Sequence, residues 1–168
     1  MRRLAAVVCM LPFVAIAADI PDLSFYRNAA EGGIAEVEMG KMAQQQARSP
    51  NVRDFGALMV KDHSAVNERL KAIAESKNIT LPANTSVEEM AAKAKLKVLS
   101  GASFDKSYIK GMIKDHQEDI AEFKKEASSG RDPDARAFAS ATLPTLEAHL
   151  KRIQSIAVEA GVGANSAD

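Results

Sequence analysis

The sequence predicts an all-α protein built on four long helices, and three observations predict it. Apolar residues recur at helical spacing along nearly the whole chain, with few β-branched runs and no Asn-Gly hairpin signal. Cap, proline and glycine signals divide that pattern into four long segments and one short one. A pentapeptide, Met59-Val60-Lys61-Asp62-His63, returns in nearly the same form as Met112-Ile113-Lys114-Asp115-His116, with Phe55 and Tyr108 one turn before the methionines. In both copies Met and His stand at i, i+4 and so share one helical face.

The chain begins with the basic Met1-Arg2-Arg3 and an apolar run from Leu4 to Ile16, at whose end Ala15-Ile16-Ala17 supplies small residues. This is the pattern of a secretory signal peptide, placed at residues 1–18 with cleavage after Ala17 or Ala18. The run falls well short of the roughly 20 residues that span a bilayer. Val8 before Cys9 argues against a lipid-attachment signal, which needs a small residue there. Removing the leader removes the only cysteine, and with it disulfides, thiolate catalysis and Fe–S clusters. It also takes Arg2 and Arg3 from a chain of zero formal charge, leaving about minus two, which speaks against nucleic acid as a partner. The mature protein is expected in the periplasm or secreted medium, without stable membrane insertion. About 150 residues remain, enough for one core, and they are assigned to a bundle domain at 19–160 with a flexible tail at 161–168.

Asp22 can cap a first helix running to about Arg48, and Ser49-Pro50 can stop it and start the second, which runs to about Lys77 with Asn78 after it. Thr80 to Asn84 reads as loop. Ser86-Val87-Glu88-Glu89 is a capping box for a short helix reaching about Leu99. Ser103 is the expected cap of the third long helix, which Gly130 ends, and Asp132-Pro133 starts a fourth that reaches about Ala160. Pro144 inside that last helix removes one backbone bond, so a kink is expected there. Two tight joints and one long crossover are the connectivity of a ferritin-like four-helix bundle, with the short helix lying in the crossover between the second and third long helices.

Bundle cores are filled from positions alternately three and four apart. The first helix offers Ala29, Gly33, Glu36, Gly40, Ala43 and Ala47; the second, Val52, Gly56, Met59, His63, Val66, Leu70 and Ile73. The third long helix offers Ile109, Met112, His116, Ile120 and Phe123, and the last Leu146, His149, Ile153 and Ile156. Each stripe carries one ionisable residue near mid-helix: Glu36, His63, His116 and His149. Midpoints coincide whether helices run parallel or antiparallel, so the four can share a layer. Burying such groups singly costs several kcal/mol, so they are expected to satisfy one another or share a cation. One carboxylate and three imidazoles make a four-ligand site for zinc, copper or iron, and thioether sulfur from Met59 and Met112 would favour copper. Asp62 and Asp115 are candidates for acceptors behind the imidazoles, and Glu38 is the rival of Glu36. Against this, a histidine on an apolar stripe is commonly a core residue bonded to a carboxylate, and methionine is commonly core filler.

The order Phe25, Ala29, Glu36-Val37 and Gly40, then Phe55, Met59-Val60-Lys61-Asp62-His63, Asn67 and Leu70, then Leu99-Ser100-Gly101, Phe104-Asp105, Tyr108, Met112 and Asp115-His116, then Phe138-Ala139, Leu143-Pro144 and His149-Leu150 resembles the family catalogued as domain of unknown function 4142. The resemblance implies an exported bacterial protein with a ferritin-like bundle, and no established activity. The di-iron pattern of ferritins, Glu-x-x-His, is not met: Val60, Ile113 and Leu146 stand three before the histidines.

The leading expectation is therefore an exported bundle that binds a transition metal without turnover. The alternative is a structural or interaction module whose buried histidines form a polar network. A hydrolase or oxidase ranks last, since no Ser or Cys nucleophile motif, phosphate loop or His-Glu-x-x-His pattern is present in the sequence.

Overall fold

The computed structural model describes residues 20–163. The expected signal peptide at 1–18 lies outside them, as does the tail beyond residue 163. Five helices follow one another: α1 (Leu23–Gln46), α2 (Pro50–Ser76), α3 (Val87–Lys97), α4 (Gly101–Ser129) and α5 (Pro133–Glu159). The described residues contain no strand, only an isolated bridge between Ala47 and Gly101.

Several expected start signals act differently from the way the sequence suggests. Asp22 occupies the N-cap position of α1 with φ 57° and makes no cap bond. Its Oδ2 instead accepts from the backbone N–H groups of Arg131 and Asp132, both at 2.6 Å. The third long helix starts at Gly101 after Ser100, not at Ser103, because Gly101 takes φ 59° without a side-chain penalty. Ser86 accepts from Glu89 N–H at 3.1 Å, but Glu89 Oε2 has no partner, so only half of the capping box forms. Asn78, at φ 57°, closes α2: Ile79 N–H donates to Ala74 O at 2.8 Å. Val162 N–H closes α5 on Ala157 O in the same way, and Val162 itself packs in the core. α5 runs through Pro144.

The helices form two hairpins, α1 with α2 and α4 with α5, and α1 also packs on α4 and α2 on α5. Asn28 bonds Glu122 near one end and Arg48 bonds Asp105 at the other, so α1 and α4 are antiparallel. Asn51 with Glu159 and Lys77 with Asp132 establish the same for α2 and α5. The two joints are tied alike: Asp105 accepts from Arg48 and Ser49 N–H as Asp22 does from Arg131 and Asp132. Arg53 donates to Ala47 and Arg48 carbonyls as Arg136 does to Gly130 and Arg131. α1 and α2 cross at two glycines. A Cβ on Gly56 would stand 2.7 Å from Gly40 O, and one on Gly40 2.7 Å from Gly56 O.

Because α2 ends beside the α4–α5 joint and α4 begins beside the α1–α2 joint, the chain from Lys77 to Ser100 must return along the molecule's length. It carries α3 against α1 and α4, where Lys93 pairs with Glu38.

Two apolar clusters fill the interior. One includes Met39, Phe55, Met59, Phe104, Tyr108, Met112 and Ile153. The other includes Phe25, Val66, Leu70, Ile120, Phe123, Phe138 and Leu146. Along α2, α4 and α5 the ionisable stripe residue falls between the two clusters, and on α1 Glu36 falls beside the change from one to the other, so a polar layer divides the core.

A candidate metal centre between two halves of the core

Glu36, His63, His116 and His149 are all at most 3% exposed, and they meet. One nitrogen from each imidazole faces a common point. His63 Nε2 lies 3.3 Å and His116 Nε2 3.4 Å from His149 Nδ1, and suitable ligand atoms of the three lie within 4.8 Å of one another. Antiparallel packing with short joints sets this level: mid-helix positions coincide, and the apolar clusters on either side lock the rings. Phe55 stands edge-on to His149, with ring centroids 6.3 Å apart.

The outward nitrogens are all engaged. Glu36 Oε2 accepts from His63 Nδ1 at 2.6 Å, Met112 O from His116 Nδ1 at 3.0 Å, and Asp62 Oδ2 from His149 Nε2 at 3.0 Å. A neutral imidazole has one N–H. In the tautomers that spend it outward, three lone pairs point inward, an arrangement that a metal ion or a proton between them would relieve.

The electrostatics agree. Burial alone would lower His63, but the Glu36 carboxylate outweighs it and raises the imidazole above its usual range. Burial lowers His116, with His63 adding to the effect. Burial, then the neighbouring His63 and His116, hold His149 down at about 4 against the pull of Asp62. Burial would raise Glu36, yet His63 and His116 keep it below the ordinary carboxylate range.

Glu36 thus stands differently from the fourth-ligand position expected of it. Its oxygens face the outer nitrogens, Oε2 on His63 and Oε1 3.4 Å from His116 Nδ1, because the mid-point of α1 sits behind these rings. Asp62 contacts His149 as an outer acceptor. Asp115 does not bond an imidazole; it faces the recess beneath α3, where burial and then Glu89 push it up to about 7. Glu38 points outward to Lys93. Met59 and Met112 are fully buried in the adjoining cluster, and Met112 contributes its carbonyl.

Sequence reasoning overlooked three polar neighbours. Asp119, one turn beyond His116, is raised well above its usual value by burial, then by Glu36 and Asp115. Asn67, one turn beyond His63, has a buried Oδ1 without a partner. Both line a gap of about 10 Å³ beside Glu36, room for one water. Helical spacing from the histidines was the available signal for both. Tyr108, fully buried, has an unpartnered hydroxyl. On the other side, His149 and Asp62 border a surface recess of about 370 Å³ with Leu58, Pro144 and Arg152.

The family model described as domain of unknown function (DUF4142) matches residues 14–156. The chain belongs to the DUF4142 family. Among curated proteins no sequence match was found. Solved structures similar to this DUF4142 chain include a DUF305 protein of Streptomyces coelicolor, with TM-score 0.73, 14% identity, and 86% of this chain and 96% of that one covered. A DUF305 fragment from Deinococcus radiodurans aligns with TM-score 0.72 and 12% identity over 82% of this chain and 95% of that one. CopM in its Cu(I)-bound form aligns with TM-score 0.69 and 18% identity over 84% and 98%. At such identities the likeness is one of fold. No helix among the described residues of the DUF4142 chain is long and apolar enough to cross a membrane.

Proposed function

We propose that this DUF4142 protein is an exported, ferritin-like bundle that binds one transition-metal ion through His63 Nε2, His116 Nε2 and His149 Nδ1, without turnover. The observation that carries the reading is the convergence of three lone pairs whose opposite N–H groups are already spent. Glu36, Asp62 and the Met112 carbonyl act as the acceptors that fix each ring's tautomer, an arrangement usual behind metal-bound histidines. Nitrogen donors suit copper, zinc and iron, and copper stands first because structural neighbours are described as CopM in Cu(I)-, Cu(II)- and Ag-bound forms. Export is supported by the leader-like residues 1–18.

The test is elemental analysis and Cu(I), Cu(II) and Zn(II) titration of untagged mature protein beside His63→Ala/His116→Ala. One equivalent bound by the native chain and none by the variant is expected. No stoichiometric uptake by either ends the proposal.

The separation of 3.3 Å between His63 Nε2 and His149 Nδ1 favours a second reading, in which a proton held on His63 supplies the cation and the cluster is a structural polar network. Metals and chelators would then leave the melting temperature unchanged.

A further inference from the structure

Beneath the crossover helix lies a recess of about 320 Å³, walled by Met39 of α1, by Glu89, Ala92 and Leu96 of α3, and by Tyr108, Met112 and Asp115 of α4. Two of its polar atoms are unsatisfied. Tyr108 is 0% exposed and its hydroxyl has no hydrogen-bond partner. Glu89 Oε2, also buried, has none either. An orphaned buried hydroxyl or carboxylate oxygen costs on the order of 1–3 kcal/mol, and native structures leave few such atoms without a use. Both oxygens belong to residues that wall one recess, with Asp115 in the same wall; each is covered in the closed fold, so a ligand that shifts α3 meets unused hydrogen-bond acceptors there.

Charge and size select the ligand. The inner groups are two carboxyl groups and a phenol oxygen, which suit a cationic donor. Of the lysines at the rim, Lys114 is already paired with Glu118 at 3.0 Å and Glu88 at 3.6 Å, while Lys95 and Lys110 border the mouth. The volume is far larger than one bare ion needs and lies at the lower end of organic-ligand pockets. Met39, Leu96 and Met112 supply apolar wall for methylene groups.

We infer that this recess binds a small primary alkylammonium compound, its ammonium group donating to Glu89, Asp115 and the Tyr108 oxygen and its methylenes packing on Met39, Leu96 and Met112. The rim lysines favour a ligand with a carboxylate at its outer end. This site is separate from the imidazole cluster and does not depend on a metal being bound there. α3 is the element that would yield to admit a ligand, since Leu96 is its one buried residue.

Calorimetric titration of the mature protein with butylammonium, 4-aminobutanoate, butanoate and butanol tests the inference. The two amines should bind saturably, and butanoate and butanol should not. Glu89→Gln should weaken amine binding by at least about tenfold, the loss of one charge-assisted bond. Tyr108→Phe should weaken it several-fold while the free protein melts no lower than the native one, because an orphaned hydroxyl has been removed. A structural role for Tyr108 would instead lower the melting temperature and spare binding. In His63→Ala/His116→Ala, amine binding should persist whether or not metal binding is lost. Absence of saturable amine binding, equal binding of butanoate, or unchanged affinity in Glu89→Gln each overturns the inference and leaves the metal proposal standing.

Discussion

Glu36 Oε2 sits 2.6 Å from His63 Nδ1, on the face of the ring opposite the nitrogen that meets His149. The carboxylate therefore acts through the imidazole: it holds the ring's orientation, fixes which nitrogen carries the proton and raises its basicity. Glu36→Gln keeps the volume but removes the charge. It should weaken metal binding by about 10- to 100-fold, the usual loss for an outer-sphere partner. Competition titration against a chromophoric chelator measures it. An unchanged Kd would mean that Glu36 does not tune the site.

The same pair predicts proton release. Glu36 raises His63 above its usual value, so near pH 6.5 the metal-free cluster holds a proton on His63, shared toward His149 Nδ1. A metal ion takes that place, and loading should expel about one proton. Calorimetry in buffers of different ionisation enthalpy reads the number directly. The released fraction should shrink as pH rises through the folded-state value of His63.

Asp62 and Asp115 precede their histidines identically in sequence, yet only Asp62 bonds an imidazole, accepting from His149 Nε2 at 3.0 Å. Asp62→Asn should therefore weaken metal binding by about tenfold or more, and Asp115→Asn should not. The two isotherms, recorded side by side, decide the matter.

Asp115 should instead govern stability against pH. In the fold it holds its proton up to about pH 7, owing to burial and then to Glu89, whereas an unfolded chain releases it near 4. Its contribution is fully present below the unfolded value and is lost as pH rises through about 7. Asp115→Asn abolishes that loss, so the variant should melt higher than the native protein at pH 8, with the difference narrowing toward pH 4. Melting curves across this range check the sign.

Gly56→Ala tests the crossing of α1 and α2. The new Cβ would lie 2.7 Å from both Gly40 O and Ala43 Cβ, and a backbone carbonyl cannot swing aside. The helices must separate, at a cost of about 1–3 kcal/mol. Urea unfolding gives the value, and a neutral result would show that the crossing is looser than these distances.

Much of the molecule was legible in the residues. The stripe through Val52, Gly56, Met59, His63, Val66 and Leu70 is buried at each of these positions, and only at its end does Ala74 take the place expected of Ile73, because a 3.6-residue period leaves a helix only one face to bury. Proline after Ser49 and Asp132 marked both joints correctly. Asp22 holds the expected N-cap position without the expected side-chain bond for a physical reason: its carboxylate can serve any nearby N–H, and like that of Asp105 it serves the joint of the other hairpin. Helix starts depend on such non-local partners, which no local pattern records.

That three imidazoles and a carboxylate occupy one level was legible in the sequence, since each interrupts an apolar stripe at mid-helix and short joints bring the mid-helix positions together. Which of the four face inward does not. A side chain on a buried stripe can approach its neighbours from in front or from behind, and only the packed positions of α1 behind His63 and His116, and of α2 beside His149, put Glu36 and Asp62 on the outer nitrogens. The recess beneath α3 is likewise a product of tertiary structure, because Tyr108, Glu89 and Met39 come from three helices whose mutual placement is set by the long return of the chain from Lys77 to Ser100.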